Sequence, residues 1–120
     1  MPAKIIVVED EAPLAELLKY NLQSEGYDVV QAADGEEALA LVRLQHPDIV
    51  ICDLLMPRLN GLELTRRIKH ERPQTKVILM TSYIEAGQRV AQVSEADAVV
   101  NKLALHSGLL PAIRAASDSP

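Results

Sequence analysis

Residues 49–53 read Ile-Val-Ile-Cys-Asp, an unbroken apolar run that ends directly on a carboxylate. Further short apolar runs occur at 5–8, 77–80 and 98–100. None of these runs alternates with polar residues, so each predicts a strand that is buried on both faces, as in a parallel sheet. A weaker run at 29–32 contains Gln31, which favours a position near the edge of that sheet.

Segments with helical periodicity separate the apolar runs. The first helix is predicted between Pro13 and Gly26, and its apolar stripe consists of Leu14, Leu17, Leu18 and Leu22. Asp34 and Glu37 stand at capping-box spacing at the start of the second helix. Later helices are expected at about 61–70, at about 85–95 and from about residue 107. This alternation predicts an α/β fold with a doubly wound, five-stranded parallel sheet.

Size and composition limit the possible functions. A chain of 120 residues that is 48% hydrophobic and 24% charged corresponds to one globular domain. Its net charge of -5 opposes binding to phosphate backbones and anionic membranes. We therefore expect no nucleic-acid binding by this domain alone and no membrane association.

The predicted location follows from the single cysteine and from the amino terminus. Cys52 cannot form an internal disulfide, and four apolar residues at 5–8 are too few for a signal peptide or a membrane span. These features favour the reducing cytoplasm. We assign residues 1–115 to the domain and residues 116–120 to a tail or to the start of a linker.

Polar residues follow the predicted strands at the edge where such folds place their sites. Glu9 and Asp10 follow the first strand, and Asp53, Thr81 and Lys102 stand at the ends of the third, fourth and fifth. Two carboxylates about 4 Å apart repel by roughly 4 kcal/mol at an effective dielectric constant of 20, so this cluster needs a cation or becomes partly protonated. Oxygen ligands suit Mg²⁺, which can share its coordination with a phosphoryl group. The sequence therefore predicts a phospho-aspartate site.

Several blocks of sequence carry a resemblance to a known family. They are residues 6–11 (Ile-Val-Val-Glu-Asp-Glu), 53–57 (Asp-Leu-Leu-Met-Pro), Asn60-Gly61, Thr81-Ser82 and Lys102. With these blocks in this order, the chain resembles the receiver domains of two-component response regulators. The resemblance implies a flavodoxin-like (βα)5 fold with strand order 2-1-3-4-5.

The resemblance also implies a role for each matching residue. Asp53 is the phospho-acceptor, Thr81 is the switch hydroxyl, and Lys102 contacts the phosphoryl group. The implied ligands of Mg²⁺ or Mn²⁺ are Glu9, Asp10, Asp53 and the backbone carbonyl of Leu55. The donor is a sensor histidine kinase or a histidine phosphotransfer protein. The domain is then a switch that controls an unknown output partner, rather than a turnover enzyme.

Two other functions compete with this interpretation. One is a receiver-like protein-interaction module whose phosphorylation site is not used. The other is a flavodoxin-like cofactor-binding protein, which we set aside because residues 9–11 are all acidic and would repel a phosphate. Other residues receive ordinary structural interpretations: Glu11 caps the first helix, Cys52 is a buried inert thiol, and the basic residues within 66–72 form a solvated helix face.

The last quarter of the chain departs from the family pattern. Val99 stands where the family usually has an aromatic residue, and Leu103 stands where proline is common. The connection at 94–97 is one residue shorter and lacks the usual glycine, and Pro111 predicts that the fifth helix starts late or bends. These changes fall on a face that often mediates dimerisation in the family, so we expect a monomer or a weak dimer.

Overall fold

Strand and helix alternate along the residues that the computed structural model describes, which are 3–56, 59–102 and 104–118. The strands are β1 (Lys4–Val8), β2 (Asp28–Ala32), β3 (Ile49–Asp53), β4 (Lys76–Thr81) and β5 (Ala98–Asn101). The helices are α1 (Ala12–Ser24), α2 (Gly35–Gln45), α3 (Gly61–Glu71), α4 (Ile84–Val93) and α5 (Leu110–Asp118). Within these ranges, no helix has the length and apolar character needed to cross a membrane.

The sheet has the predicted topology. All its neighbouring strands are parallel, in the order β2-β1-β3-β4-β5. The strand that contains Gln31 lies at an edge, as its polarity indicated. Every residue of β3 is buried, whereas every residue of β5, at the opposite edge, is partly exposed.

Side chains that alternate along the strands fill two separate cores, one on each face of the sheet. On β1, Ile6 and Val8 belong to the core that contains Leu39, Leu64 and further residues of α2 and α3. The other core is formed by Ile5, Val7, Leu18, Leu22, Val29, Ile49, Ile51, Ile78, Met80, Leu109, Leu110 and Ile113. Helices therefore cover both faces, which confirms the doubly wound architecture.

The buried stripe of α1 differs from the predicted one. Ala15, Leu18 and Leu22 are buried, whereas Leu17 is 55% exposed. The difference arises because each residue turns the helix by about 100°, which places Leu17 about 100° from Leu18 and about 140° from Leu22, away from the buried face. The prediction of a four-leucine stripe was therefore wrong at Leu17.

The predicted capping box is present at the start of α2, except that Glu37 binds the residue before the N-cap. Asp34 Oδ1 accepts a hydrogen bond from the Glu37 N–H at 2.9 Å. Glu37 Oε1 accepts in turn from the N–H of Ala33 at 2.8 Å. The two side chains thus bind the amide groups before and within the first turn, which fixes where the helix begins.

A π-helical turn, Leu105–Leu109, precedes α5 and explains its late start. The carbonyl of Ala104 accepts from the N–H groups of Gly108 and Leu109, at 2.8 and 3.1 Å. Pro111 follows as the second residue of α5, where a missing N–H is tolerated. Helix α5 continues to Asp118, through residues that the sequence analysis placed in a tail. Pro57 and Leu103 lie outside the described residues.

Gly61, the first residue of α3, shows why this helix can start so close to the sheet. A Cβ atom at this position would lie 2.7 Å from the Asp53 carbonyl oxygen and 2.9 Å from the Leu54 Cα. We predict that Gly61→Ala lowers the free energy of unfolding by about 1–3 kcal/mol, because backbone atoms must move. Urea denaturation measures this effect. Gly108→Ala is the control, since its nearest contact is 3.6 Å away, and an equal loss in both variants would contradict the prediction.

Candidate functional site

The carboxyl ends of four strands bring the predicted site residues to one edge of the sheet. Glu9 and Asp10 follow β1, Asp53 ends β3, Thr81 ends β4 and Lys102 follows β5. One carboxylate oxygen from each of the three acids lies within 4.8 Å of the others. Two of these acids, Glu9 and Asp53, are buried, whereas Asp10 is exposed.

Lys102 lies across this acidic cluster. Its Nζ is 2.7 Å from Asp53 Oδ2, 3.1 Å from Glu9 Oε2 and 3.9 Å from Glu11 Oε1. Burial alone would lower the pKa of the Lys102 ammonium. The hydrogen bonds and charges of Asp53 and Glu9 together outweigh this effect, so the pKa of Lys102 is raised. The ammonium therefore stays charged and partly neutralises the cluster.

Glu11 lies at the start of α1, as predicted, and also near Lys102. It occupies the N-cap position of α1, but its side chain makes no capping hydrogen bond. Its carboxylate oxygen Oε1 lies 3.9 Å from Lys102 Nζ. The structure thus confirms the predicted position of this exposed acid at the helix terminus, where its charge favours the helix dipole, without a capping hydrogen bond.

The Glu9 carboxylate has one oxygen that lacks an aligned donor. Oε1 accepts from the N–H of Glu11 at 3.2 Å and from Lys102 Nζ at 3.3 Å. Oε2 is buried and makes no hydrogen bond to any described residue, although it lies near the Lys102 ammonium. Burial, with the nearby charge of Asp53, raises the pKa of Glu9, against the opposing effects of the Glu11 N–H and Lys102. A buried oxygen of this kind is suited to bind a cation.

Both carboxylate oxygens of Asp53 accept hydrogen bonds. The N–H of Leu55 donates to Asp53 Oδ1 at 3.3 Å, while Oδ2 receives the hydrogen bond from Lys102. The preceding residue, Cys52, is fully buried, and burial raises the pKa of its thiol, as expected for an inert cysteine. Leu55 itself is 62% exposed beside the site.

Thr81 connects the site to the start of α4. Its side chain is buried, and Oγ1 accepts a hydrogen bond from the N–H of Tyr83 at 3.1 Å. Its carbonyl oxygen accepts from the N–H of Lys102 at 2.9 Å. Sequence reasoning assigned no role to Tyr83, a residue that is 63% exposed. The only signal was its position two residues after a strand end.

The charges determine what this arrangement can do. Glu9, Asp10 and Asp53 carry three negative charges when ionised, and Lys102 carries one positive charge, which leaves two negative charges on oxygen donors. Two uncompensated negative charges on carboxylate oxygens fit the binding of one divalent cation such as Mg²⁺. Asp53 also presents a buried carboxylate with an ammonium group beside it.

Comparison with known proteins agrees with the geometry. Residues 5–114 match the family model of the response regulator receiver domain. The chain belongs to this family. Receiver domains are signalling domains of two-component systems rather than turnover enzymes.

Individual members of the family show how far the similarity extends. The receiver domain described here is 37% identical over 90 residues to the alkaline phosphatase synthesis transcriptional regulatory protein PhoP of Bacillus subtilis. That match covers 75% of this chain but only 38% of the length of PhoP.

Solved structures match over nearly the whole chain. Response regulator protein TrrA of Thermotoga maritima, in complex with Mg²⁺-BeF, is 35% identical with a TM-score of 0.86, and the match covers 97% of this chain and 99% of that one. Chemotaxis protein CheY4 of Vibrio cholerae is 27% identical with a TM-score of 0.84, over the same shares of the two chains. Both similarities confirm the fold of the receiver domain.

The exposed acid of the cluster provides a test of metal binding. We predict that Asp10→Ala weakens Mg²⁺ binding by at least about tenfold, because one of three oxygen donors is lost. In the metal-free protein the same change removes a repulsive charge, so the melting temperature stays constant or rises. Calorimetric titration and thermal melting in chelator measure the two effects, with Asp28→Ala at the other end of the sheet as the control. A sharp fall in the metal-free melting temperature would show that Asp10 is structural.

Proposed function

We propose that Asp53 accepts a phosphoryl group from a phosphohistidine of a sensor histidine kinase or of a histidine phosphotransfer protein. The observation that carries this proposal is the contact of 2.7 Å between Lys102 Nζ and Asp53 Oδ2 inside the acidic cluster. An ordinary strand-end aspartate has no need of two further carboxylates and a largely buried ammonium group beside it.

The transfer requires little of the protein beyond position and charge. A carboxylate oxygen of Asp53 attacks the phosphorus atom, the P–N bond of the phosphohistidine breaks, and the imidazole nitrogen keeps the electron pair. The Lys102 ammonium then pairs with a phosphoryl oxygen, and the Thr81 hydroxyl donates to another. The product is an aspartyl phosphate, and its later attack by water returns the carboxylate and releases phosphate.

The proposed cofactor is Mg²⁺ or Mn²⁺. The residues that hold it are Glu9, Asp10, Asp53 and the backbone carbonyl of Leu55. Support comes from the clustered carboxylates and from the buried Glu9 Oε2 without an aligned donor. A bound divalent cation supplies positive charge to the phosphoryl oxygens during transfer.

The proposed output is a shift between two conformations of the domain. Thr81 Oγ1 accepts the hydrogen bond of the Tyr83 N–H in the present structure. When the hydroxyl turns toward a phosphoryl group, that bond must change, and the start of α4 changes with it. An output domain or protein that distinguishes the two conformations then receives the signal, and the cytoplasm is the compartment in which we place it.

A direct experiment tests the proposal. The chain is incubated with a small phosphodonor, with Mg²⁺ or with excess chelator, and the modified residue is located by mass spectrometry. We expect one modified site, Asp53, and only with the metal. Full labelling in chelator, or labelling elsewhere, would instead favour the interaction module whose acidic site is unused.

We further propose that the domain stays monomeric or forms only a weak dimer when it is activated. Val99 is partly buried and packs against the core that contains Leu39 and Leu64, and a valine has too short a side chain to move between buried and exposed positions. Sedimentation with and without a fluoroberyllate mimic of the phosphoryl group measures the change in mass. A mimic-induced dimer that Arg89→Glu disrupts would contradict this prediction.

A further inference from the structure

The strand that leads to Lys102 is less buried than the central strands of the sheet. Each residue of β5 is partly exposed, and among the described strands this edge strand pairs with β4 alone. Val99 and Val100 are adjacent, so after a slip by one residue a valine would still occupy one of these two positions. Such a slip would turn every following side chain to the opposite face of the sheet, including that of Lys102.

Asp97, directly before β5, makes the contacts that oppose a slip. Its N–H donates to the Val77 carbonyl at 2.8 Å, and its Oδ2 accepts from the Val77 N–H at 2.8 Å. The same Oδ2 lies 2.6 Å from Lys69 Nζ, which also donates to the Thr75 carbonyl at 2.9 Å. We call the group Lys69, Thr75, Val77 and Asp97 the β5 clasp. A shift of one residue would break its contacts to Asp97 together.

The surroundings of the β5 clasp strengthen its ion pair. The Lys69 and Asp97 side chains are 13% and 28% exposed, so water and salt screen their attraction only in part. The pair between Arg43 and Glu71 on the neighbouring helices is more open, with 57% and 31% exposed. The clasp therefore provides an anchor that the weakly buried strand lacks, and the Arg43–Glu71 pair provides a matched control.

The far end of the same strand carries the functional lysine. The N–H of Lys102 donates to the Thr81 carbonyl, and its Nζ reaches Asp53. We propose that the β5 clasp is a positioning device that sets the register of β5 and thereby places the Lys102 ammonium on Asp53. This inference rests on the proposed function for the chemistry of Lys102, but the placement itself can be measured without phosphorylation.

Hydrogen exchange of the Lys102 amide tests the placement. In Asp97→Asn and in Lys69→Met we expect this amide to exchange about tenfold faster, while amides of β1 keep the native rate. Glu71→Gln should leave the Lys102 amide unchanged. If Lys102 keeps its native protection in both clasp variants, the clasp fixes only its own end of the strand and the inference is wrong.

Phosphorylation kinetics test the consequence. We expect each clasp variant to be labelled about tenfold more slowly, since a displacement of this kind weakens transition-state contacts. The loss should vanish in a background that already carries Lys102→Met, because no ammonium is then left to place. Equal losses in both backgrounds would mean a general structural defect and would overturn the inference. If the native chain is not labelled at all, the proposed function fails. Hydrogen exchange of the Lys102 amide then remains as the test of whether the β5 clasp positions Lys102.

If Asp97→Asn does not fold, the exchange of the Lys102 amide and the labelling rate are both measured on Lys69→Met. It removes the ion pair and leaves the two hydrogen bonds between Asp97 and Val77 in place. Lys69→Arg, which keeps a cation at this position, should restore both the native exchange of the Lys102 amide and the native labelling rate. A failure of Lys69→Arg to restore either rate after a loss in Lys69→Met would count against a role for the ion pair.

Discussion

Replacing Asp53 by Asn is expected to reduce phosphoryl labelling by more than about 100-fold, to background. The amide oxygen of Asn is a poor nucleophile, and no other carboxylate in the described cluster stands between Lys102 and the Leu55 N–H as Asp53 does. Labelling is followed as the mass increase of the intact protein with a small phosphodonor and Mg²⁺.

The matched control for this change lies at the other end of the same strand. Asp48 precedes β3 and accepts the Lys4 N–H through Oδ2 at 2.8 Å, a contact that an amide oxygen can also make. Asp48→Asn should therefore keep the native labelling rate. If Asp53→Asn is still labelled at the native rate, Asp53 is not the acceptor and the proposed function is wrong.

Removing the ammonium group at Lys102 should have two opposite effects. We predict that Lys102→Met tightens Mg²⁺ binding by at least about tenfold, because a like charge leaves the metal site. The same change slows labelling of Asp53 by about 100-fold, since a charged contact to the phosphoryl oxygens is lost. A change that only damaged the fold would weaken both properties together.

Titration calorimetry and labelling rates measure the two effects of Lys102→Met. Lys4→Met is the control, since Lys4 pairs with Asp28 at the opposite end of the sheet, with 3.8 Å between Nζ and Oδ2. The prediction fails if Mg²⁺ binds more weakly in Lys102→Met, or if labelling proceeds at the native rate. The first result would show that the ammonium helps to organise the carboxylates, rather than competing with the cation.

The sequence predicted the sheet and its functional edge because both depend on short-range patterns. An apolar run that ends on Asp53 or Thr81 indicates a buried strand and a polar end at the same time. The rules of doubly wound sheets then bring those ends together without any knowledge of side-chain contacts. The prediction failed where burial depends on rotation about a helix axis, as the exposed Leu17 shows.

The contacts that sequence reasoning missed are those between distant parts of the chain. Residues 94–97 were recognised as a short connection without glycine, but nothing in them indicated that Asp97 binds the backbone of Val77, 20 residues earlier. Glu11 was assigned to a helix cap, although Lys102 lies within 3.9 Å of it. Such pairings depend on register and on side-chain reach, which emerge only once the strands are assembled.

The two separate cores of the sheet have a consequence for how this domain can change over evolutionary time. Ile5 and Val7 point to one layer of helices, while Ile6 and Val8 point to the other, so the sheet divides the apolar interior. Substitutions that reshape one layer need not disturb packing in the other, because sites without shared contacts act nearly independently. One side of the molecule can thus acquire a new partner while the opposite side, and the chemistry at the edge between them, is inherited unaltered.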